Sequence, residues 1–92
     1  MSSFHIHSVE QALLSKGFMR VPGDHRRFYY LVEGRKSRVR TRFSHSDRRI
    51  EGIRVRQMAK EIGLDRAEFE AFVNCPLSGE IYLSLVRGRG LL

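Results

Sequence analysis

The chain has 92 residues and one cysteine, Cys75, so an internal disulfide is excluded. This length suits one domain with one modest core, and we expect a single domain over residues 1–92. The core should lie at about residues 8–73, with a helical extension at about 74–87. No apolar run approaches the roughly 20 residues that span a bilayer, and the first residues lack a signal-peptide pattern. The expected location is therefore the cytoplasm, with no membrane contact.

Positive charge is concentrated in the middle of the chain. The formal net charge is +7, and residues 20–56 hold 12 of the 17 Lys and Arg but only four of the ten acids. Eleven of those 12 are Arg, whose planar guanidinium matches phosphate oxygens two at a time. The distribution favours phosphate recognition over a surface that is basic only for solubility.

The first half of the chain predicts one helix and three strands. Ser8 with Gln11 resembles a capping box, which predicts a helix over about 8–16. A short strand at 18–21 is followed by a turn signal at 22–24. A second strand at 26–32 is rich in aromatic and β-branched residues, and a glycine-containing hairpin at 33–36 follows it.

The third strand, at residues 38–43, alternates strictly between arginine and other residues. Successive side chains of a strand point to opposite faces, so the three arginines share one face: Arg38, Arg40 and Arg42. The remaining three residues share the other face: Val39, Thr41 and Phe43. This predicts a sheet with a basic face open to solvent, because the opposite face supplies the hydrophobic contacts.

The second half predicts a polar loop at 44–51 and then three helices. An amphipathic helix is indicated by residues spaced i, i+3, i+4 and i+7, namely Val55, Met58, Ala59 and Ile62. Asp65 with Glu68 predicts a capping box at the start of the next helix. A last helix near 77–86 should bury Leu77, Ile81 and Leu85, and we expect the tail at 87–90 to be frayed.

These elements predict an α+β fold in the order α-β-β-β-α-α-α, with a three-stranded antiparallel sheet. Helices 1 and 2 should cover the face that carries Val39 and Phe43.

His25 opens the second strand beside Arg26 and Arg27. RNA cleavage by transesterification needs a base for the 2′-hydroxyl proton, an acid for the leaving 5′-oxygen, and positive charge for the phosphorane. An imidazole flanked by arginines could supply one proton-transfer role and the charge. The alternative is that His25 is an ordinary polar residue at the start of a strand.

Three segments resemble the HicA family of toxins from bacterial and archaeal toxin–antitoxin systems. The first runs from Lys16-Gly17-Phe18 to Gly23-Asp24-His25-Arg26, and the second is the hairpin at 34–41. The third runs from Glu51-Gly52-Ile53-Arg54 to Phe69, with a glycine-ended helix. Together they cover somewhat over half of the chain in the order found in the family.

The resemblance implies a double-stranded-RNA-binding-like α-β-β-β-α fold with extra C-terminal helices. It also implies cleavage of mRNA without a metal or other cofactor, and silencing by a HicB-type antitoxin protein. The catalytic histidine of the family's Gly-Ser-His motif carries over to His25, and its glycine to Gly23. Asp24 stands where the family has serine, and this carboxylate could orient the imidazole or repel RNA.

Charge and alternation, together with the resemblance, give one set of candidate RNA-binding residues: Gly23, Arg26, Arg27, Arg38, Arg40 and Arg42. His45 is a candidate second acid or base, since antiparallel pairing could bring it near His25. The alternative interpretation is that His45 is a solvated loop residue. Tyr29 and Tyr30 should point to opposite faces, one to the core and one to packing or base stacking.

Two further features are interpreted structurally. His5 and His7 would share a face if extended, yet a mobile N-terminal segment without a metal is the preferred interpretation. Cys75, in an apolar context before Pro76, is interpreted as a small core residue.

Two other functions stay open at this point. The chain could be a basic RNA-binding module of the same fold without catalysis, which Asp24 favours. It could also be a protein-interaction adaptor whose basic face meets an acidic partner, which the C-terminal extension favours. The sequence leaves the oligomeric state open.

Overall fold

A computed structural model describes residues 3–23, 25–44, 47–74 and 76–92. In these ranges the chain forms an α+β fold with the elements β1 (Ser3–His5), α1 (Ile6–Ser15), β2 (Phe18–Val21), β3 (Arg26–Val32), β4 (Arg35–Phe43), β5 (Arg49–Glu51), α2 (Ile53–Glu61), α3 (Arg66–Val73) and α4 (Gly79–Gly88). The predicted α+β class is confirmed. No helix in the described ranges is long and apolar enough to cross a membrane.

The three predicted strands form an antiparallel sheet in the order β2-β3-β4. The turn between β3 and β4 has positive φ angles at both central residues, 53° at Glu33 and 79° at Gly34. Such a turn matches the right-handed twist of paired strands, and Gly34 adopts the angle without steric cost. The hairpin is confirmed, and β4 begins three residues earlier than predicted.

The N-terminal segment forms a strand, so the prediction of a mobile segment was wrong. β1 pairs antiparallel with β5, and Phe4 lies opposite Ile50 in this two-stranded sheet. Both side chains are buried, and this apolar burial stabilises the pairing of residues 3–5 with β5. The predicted loop at 44–51 is wrong at its last three residues, which form β5.

Helix α1 begins at Ile6, two residues before the predicted start. His5 caps it, with its Nδ1 accepting a hydrogen bond from the backbone N–H of His7, and the Ile6 N–H donates to the Arg48 carbonyl. Ser8 therefore lies inside the helix, and its predicted capping box is wrong. Pairing of β1 with β5 fixes where the helix can start.

The hydrophobic core lies between the inner face of the three-stranded sheet and the helices, as predicted. Val39 and Phe43 are buried in it with the apolar faces of α1, α2 and α3. Tyr82 lies at its centre and is fully buried, with its ring 5.1 Å from those of Tyr30 and Phe72. Its hydroxyl donates to the Ile62 carbonyl at 2.7 Å, which satisfies a carbonyl at the end of α2.

Helix α4 starts at Gly79. Leu77 before it is buried as predicted and Leu85 is partly buried against the core, but Ile81 does not face the core. The Ser78 hydroxyl accepts from the Ile81 N–H, which fixes the first turn. The buried residues of the helix are Tyr82 and Val86, and the side chain of Ile81 is 51% exposed. The prediction for Ile81 was wrong because the aromatic ring and its hydroxyl partner set the rotation of the helix.

The C-terminal tail is anchored, so the prediction of fraying was wrong. Arg89 donates to both carboxylate oxygens of Glu68, at 2.9 and 2.6 Å, and to the Gly63 carbonyl at 2.6 Å. Glu68 also completes the predicted capping box with Asp65 at the start of α3, which is confirmed. The Arg89 guanidinium and the Asp65 N–H lower the pKa of the Glu68 carboxyl.

We predict that Tyr82→Phe lowers the free energy of unfolding by about 1–3 kcal/mol, because the buried Ile62 carbonyl loses its side-chain donor. Urea denaturation measures the change. The matched control is Tyr29→Phe, which removes the same hydroxyl from a half-buried ring on the outer face. An equal loss in both variants would contradict the assignment.

We predict that acid weakens the anchored tail. The pKa of Glu68 is lower in the folded than in the unfolded chain, so its ionised form adds stability at neutral pH. That contribution is lost as the pH falls below about 4.3 and through the folded-state pKa. Thermal unfolding of Glu68→Gln should differ from wild type at pH 7 and converge with it near pH 3. The control is Glu51→Gln, at an exposed residue of β5, and its difference from wild type should not depend on pH.

Candidate nucleic-acid interface

The outer face of the sheet carries four exposed arginines, which we call the arginine face: Arg27 on β3 and Arg38, Arg40 and Arg42 on β4. The predicted alternation of β4 is confirmed, since Val39, Thr41 and Phe43 are buried on the other face. Residues opposite each other in antiparallel strands share a face, and the register pairs Arg27 with Arg42 and Tyr29 with Arg40.

The arginine face has no acidic partner of its own in the described ranges. None of its four side chains forms an ion pair or a hydrogen bond with a described residue. Arg27 and Arg42 lie directly opposite each other, and like charges in such a pair destabilise a sheet. A bound polyanion would relieve this repulsion, and the arrangement is therefore suited to phosphate groups.

The arginine face lines a groove of about 620 Å³. Besides the four arginines, the groove is lined by Tyr29, Thr41 and Glu61. Tyr29 is half-buried, and the Lys36 ammonium lies 4.9 Å from the centre of its ring. Tyr30 is buried in the core, so the prediction that the two tyrosines point to opposite faces is confirmed.

Arg26 lies on the side of the sheet opposite the arginine face. It pairs with Phe43 in the register, and its guanidinium carbon lies 5.8 Å from the centre of that ring. Its Nη1 is 3.4 Å from the carboxylate of Glu10, which also binds Arg20 at 3.2 Å. The structure thus separates Arg26 from the other predicted RNA-binding arginines, because Glu10 on α1 holds it against the helices.

His25 lies just before β3 and is exposed beside a smaller cleft of about 290 Å³. The cleft is lined by His25, Arg42, Phe43, Ser44, Asp47 and Arg54. Arg42 lines both this cleft and the groove of the arginine face. Gly23, two residues earlier, is exposed in the loop that leads to His25.

Arg54 is a cleft residue that the sequence analysis missed. Its guanidinium donates to the Arg42 carbonyl at 3.3 Å and to the Gln57 side chain at 3.4 Å, which joins the start of α2 to the end of β4. A cation in the first turn of a helix opposes the helix dipole. That unfavourable position was the signal that could have identified it. Gly52, with φ 59° and ψ −131°, makes the turn that brings α2 to the cleft.

Two of the residues that line the cleft, Ser44 and Asp47, are joined by two hydrogen bonds. The Ser44 N–H donates to the Asp47 carboxylate at 2.9 Å, and the Asp47 N–H donates to the Ser44 carbonyl at 3.1 Å. The predictions for Asp24, His45 and Cys75 concern positions outside the described residues.

His5 and His7 lie on the N-terminal segment, and their rings stack with centres 5.1 Å apart. Across the described ranges, no group of three or more His, Cys, Asp or Glu side chains is placed to hold a metal ion.

Comparison with known proteins gave no match to a protein-family model, to a curated protein or to a solved structure.

We predict that the arginine face governs binding to polyanions. The double variant Arg38→Gln/Arg40→Gln should bind polyuridylic acid more weakly and reduce the slope of log K against log salt by about 1.4, for two phosphate contacts to a single strand. Arg66→Gln/Arg87→Gln removes the same charge from α3 and α4 and should change the slope little. Equal changes in both variants would mean that net charge, and not this face, governs binding.

Proposed function

We propose that this chain is a HicA-like RNA-binding protein that cleaves mRNA, with His25 as a general acid or base. The observation that carries the proposal is that Arg42 lines both the cleft at His25 and the groove of the arginine face. An RNA strand bound along the arginine face would then pass beside an imidazole. Neither feature alone would favour cleavage over simple binding.

In the proposed reaction the 2′-oxygen of a ribose attacks the adjacent phosphorus and the bond to the 5′-oxygen breaks. The products are a 2′,3′-cyclic phosphate and a free 5′-hydroxyl. His25 transfers one of the two protons, either from the 2′-hydroxyl or to the 5′-oxygen. Arg42 and Arg54 line the same cleft and supply positive charge where the phosphorane forms. His45 is the proposed second proton carrier.

The proposal includes the remaining features of the HicA resemblance. These are a double-stranded-RNA-binding-like arrangement of the sheet and helices within a single domain, reaction without a metal or other cofactor, cytoplasmic location and a HicB-type antitoxin as partner. The α+β fold with its three-stranded antiparallel sheet supports the first of these. The C-terminal extension of the proposed fold is packed into the same core, since Tyr82 and Val86 of α4 are buried there.

A second candidate function is RNA binding without catalysis. It is favoured by the larger size of the groove at the arginine face, about 620 Å³ against about 290 Å³ for the cleft at His25. The carboxylate of Asp24 beside His25 in the sequence also favours it. In this case the arginine face would account for the whole activity.

We predict that the purified protein cleaves a long single-stranded RNA in excess EDTA and that His25→Ala lowers the rate by about 10²–10⁴-fold. Denaturing gels measure the rate, and end-group analysis should find cyclic phosphate and 5′-hydroxyl termini. His7→Ala, at an exposed histidine of α1, is the matched control and should cleave at the wild-type rate.

Two outcomes would contradict the catalytic proposal. Equal cleavage by wild type and His25→Ala would assign the activity elsewhere. Intact RNA with both proteins, together with equal binding on a native gel, would support the binding module.

A further inference from the structure

Glu61 is the one carboxylate among the residues lining the groove of the arginine face in the described part of the chain. It is the last residue of α2, and its Oε1 accepts a hydrogen bond of 2.7 Å from the Thr41 hydroxyl. Thr41 is buried on the edge strand β4, so this bond fixes one carboxylate oxygen against the sheet. The residue itself is exposed, and Oε2 has no partner among the described residues.

The position of Glu61 is unfavourable for a groove that binds only phosphate. Its negative charge lowers the attraction of the groove for a polyanion, and a carboxylate at the C-terminal end of a helix opposes the helix dipole. Glu61 forms no ion pair with any arginine in the described ranges. No described arginine bonds to its carboxylate, so Oε2 stays open to the groove.

An open carboxylate beside arginines and an aromatic ring matches the hydrogen-bonding groups of one nucleobase. Guanine has two adjacent donors, N1–H and N2–H₂, on its Watson–Crick edge and two adjacent acceptors, O6 and N7, on its Hoogsteen edge. A carboxylate accepts from the first pair, and an arginine donates to the second. Adenine and cytosine each place an acceptor on the Watson–Crick edge beside their amino group, where a carboxylate would repel it.

We propose that the groove of the arginine face holds a guanine base of single-stranded RNA, and that Glu61 is the residue that selects it. Glu61 accepts from N1–H and N2–H₂, an arginine of the face contacts O6 and N7, and Tyr29 offers a ring surface in the same groove. Thr41 is a positioning residue, because its hydroxyl orients the carboxylate. This inference rests on the proposed RNA binding at the arginine face and is independent of catalysis by His25.

The test is fluorescence anisotropy with labelled nine-nucleotide uridine strands that carry guanosine, inosine or adenosine at the centre. Inosine keeps N1–H but lacks the N2 amino group. Wild type should bind the guanosine strand about tenfold more tightly than the adenosine strand, with inosine between them. Chemically synthesised strands with 2′-O-methyl riboses prevent cleavage, so binding is measured whether or not the protein is an enzyme.

Glu61→Gln should abolish the preference for guanosine and bind an all-uridine strand as tightly as wild type or more tightly. Loss of the guanosine preference without loss of affinity for the all-uridine strand separates recognition from a structural role. A merely structural change would weaken the binding of every strand. Glu80→Gln removes the same charge from α4 and should keep the guanosine preference. Thr41→Val should reduce the preference while circular dichroism confirms that the fold is retained.

Three results of the anisotropy test would overturn the inference, and so would one result of a competition test. The first three are equal binding of the guanosine and adenosine strands by wild type, an unchanged preference in Glu61→Gln, and absence of RNA binding. Competition by free guanosine monophosphate as effective as that of the guanosine strand would assign the groove to a free nucleotide and overturn the role in RNA. If RNA is bound with guanosine preference but never cleaved, the inference holds and only the catalytic proposal fails.

Discussion

The strict alternation of β4 is the constraint on which the rest of the molecule depends. Val39, Thr41 and Phe43 enter the core while Arg38, Arg40 and Arg42 stay in solvent. A shift of the strand by one residue would exchange the two sets and bury three guanidinium groups without partners, at a cost of several kcal/mol for each ion. The register of the sheet is therefore fixed by the same residues that create the arginine face.

The helices meet this constraint by covering only the inner face of the sheet. Tyr82 on α4 packs against rings from the sheet and from α3. Its hydroxyl donates to the Ile62 carbonyl at the end of α2. Lys16 contributes on the same side, since its ammonium lies 4.7 Å from the centre of the Phe72 ring and donates to the Phe72 carbonyl. Because the helices complete the core on the inner face of the sheet, the outer face stays open to solvent. The guanidinium groups of the arginine face are therefore accessible to a ligand.

The candidate sites lie at the borders between β4 and α2. Arg54 at the start of the helix binds the carbonyl of Arg42, and Glu61 at its end binds Thr41. Both are charged residues at the helix end where the dipole disfavours them. Each lines a depression that also contains Arg42, so the unfavourable helix position coincides with a candidate site in both cases.

Local patterns predicted much of this fold and less of the sites. Strict alternation predicted β4, while residue composition and turn signals predicted β2 and β3. The Asp65–Glu68 spacing predicted the start of α3. These features depend on neighbouring residues alone. The pairing of β1 with β5 depends on Phe4 meeting Ile50, 46 positions along the chain, which no local pattern contains. The rotation of α4 follows from the contacts of Tyr82, so the spacing of its apolar residues predicted Ile81 wrongly. Arg26 looked equivalent to Arg27, yet adjacent strand residues point to opposite faces and Glu10 binds only the first.

We propose that the arginine face and the cleft at His25 bind one RNA strand as a continuous surface. The most direct measurement is a titration of ¹⁵N-labelled protein with a non-cleavable 2′-O-methyl RNA, followed by amide chemical shifts. We expect the shift changes to concentrate on β3, β4, His25 and the first turn of α2, and the shifts of α3 and α4 to change little. Shifts confined to the helices, or shifts on β4 with none at His25 and Arg54, would contradict the proposal.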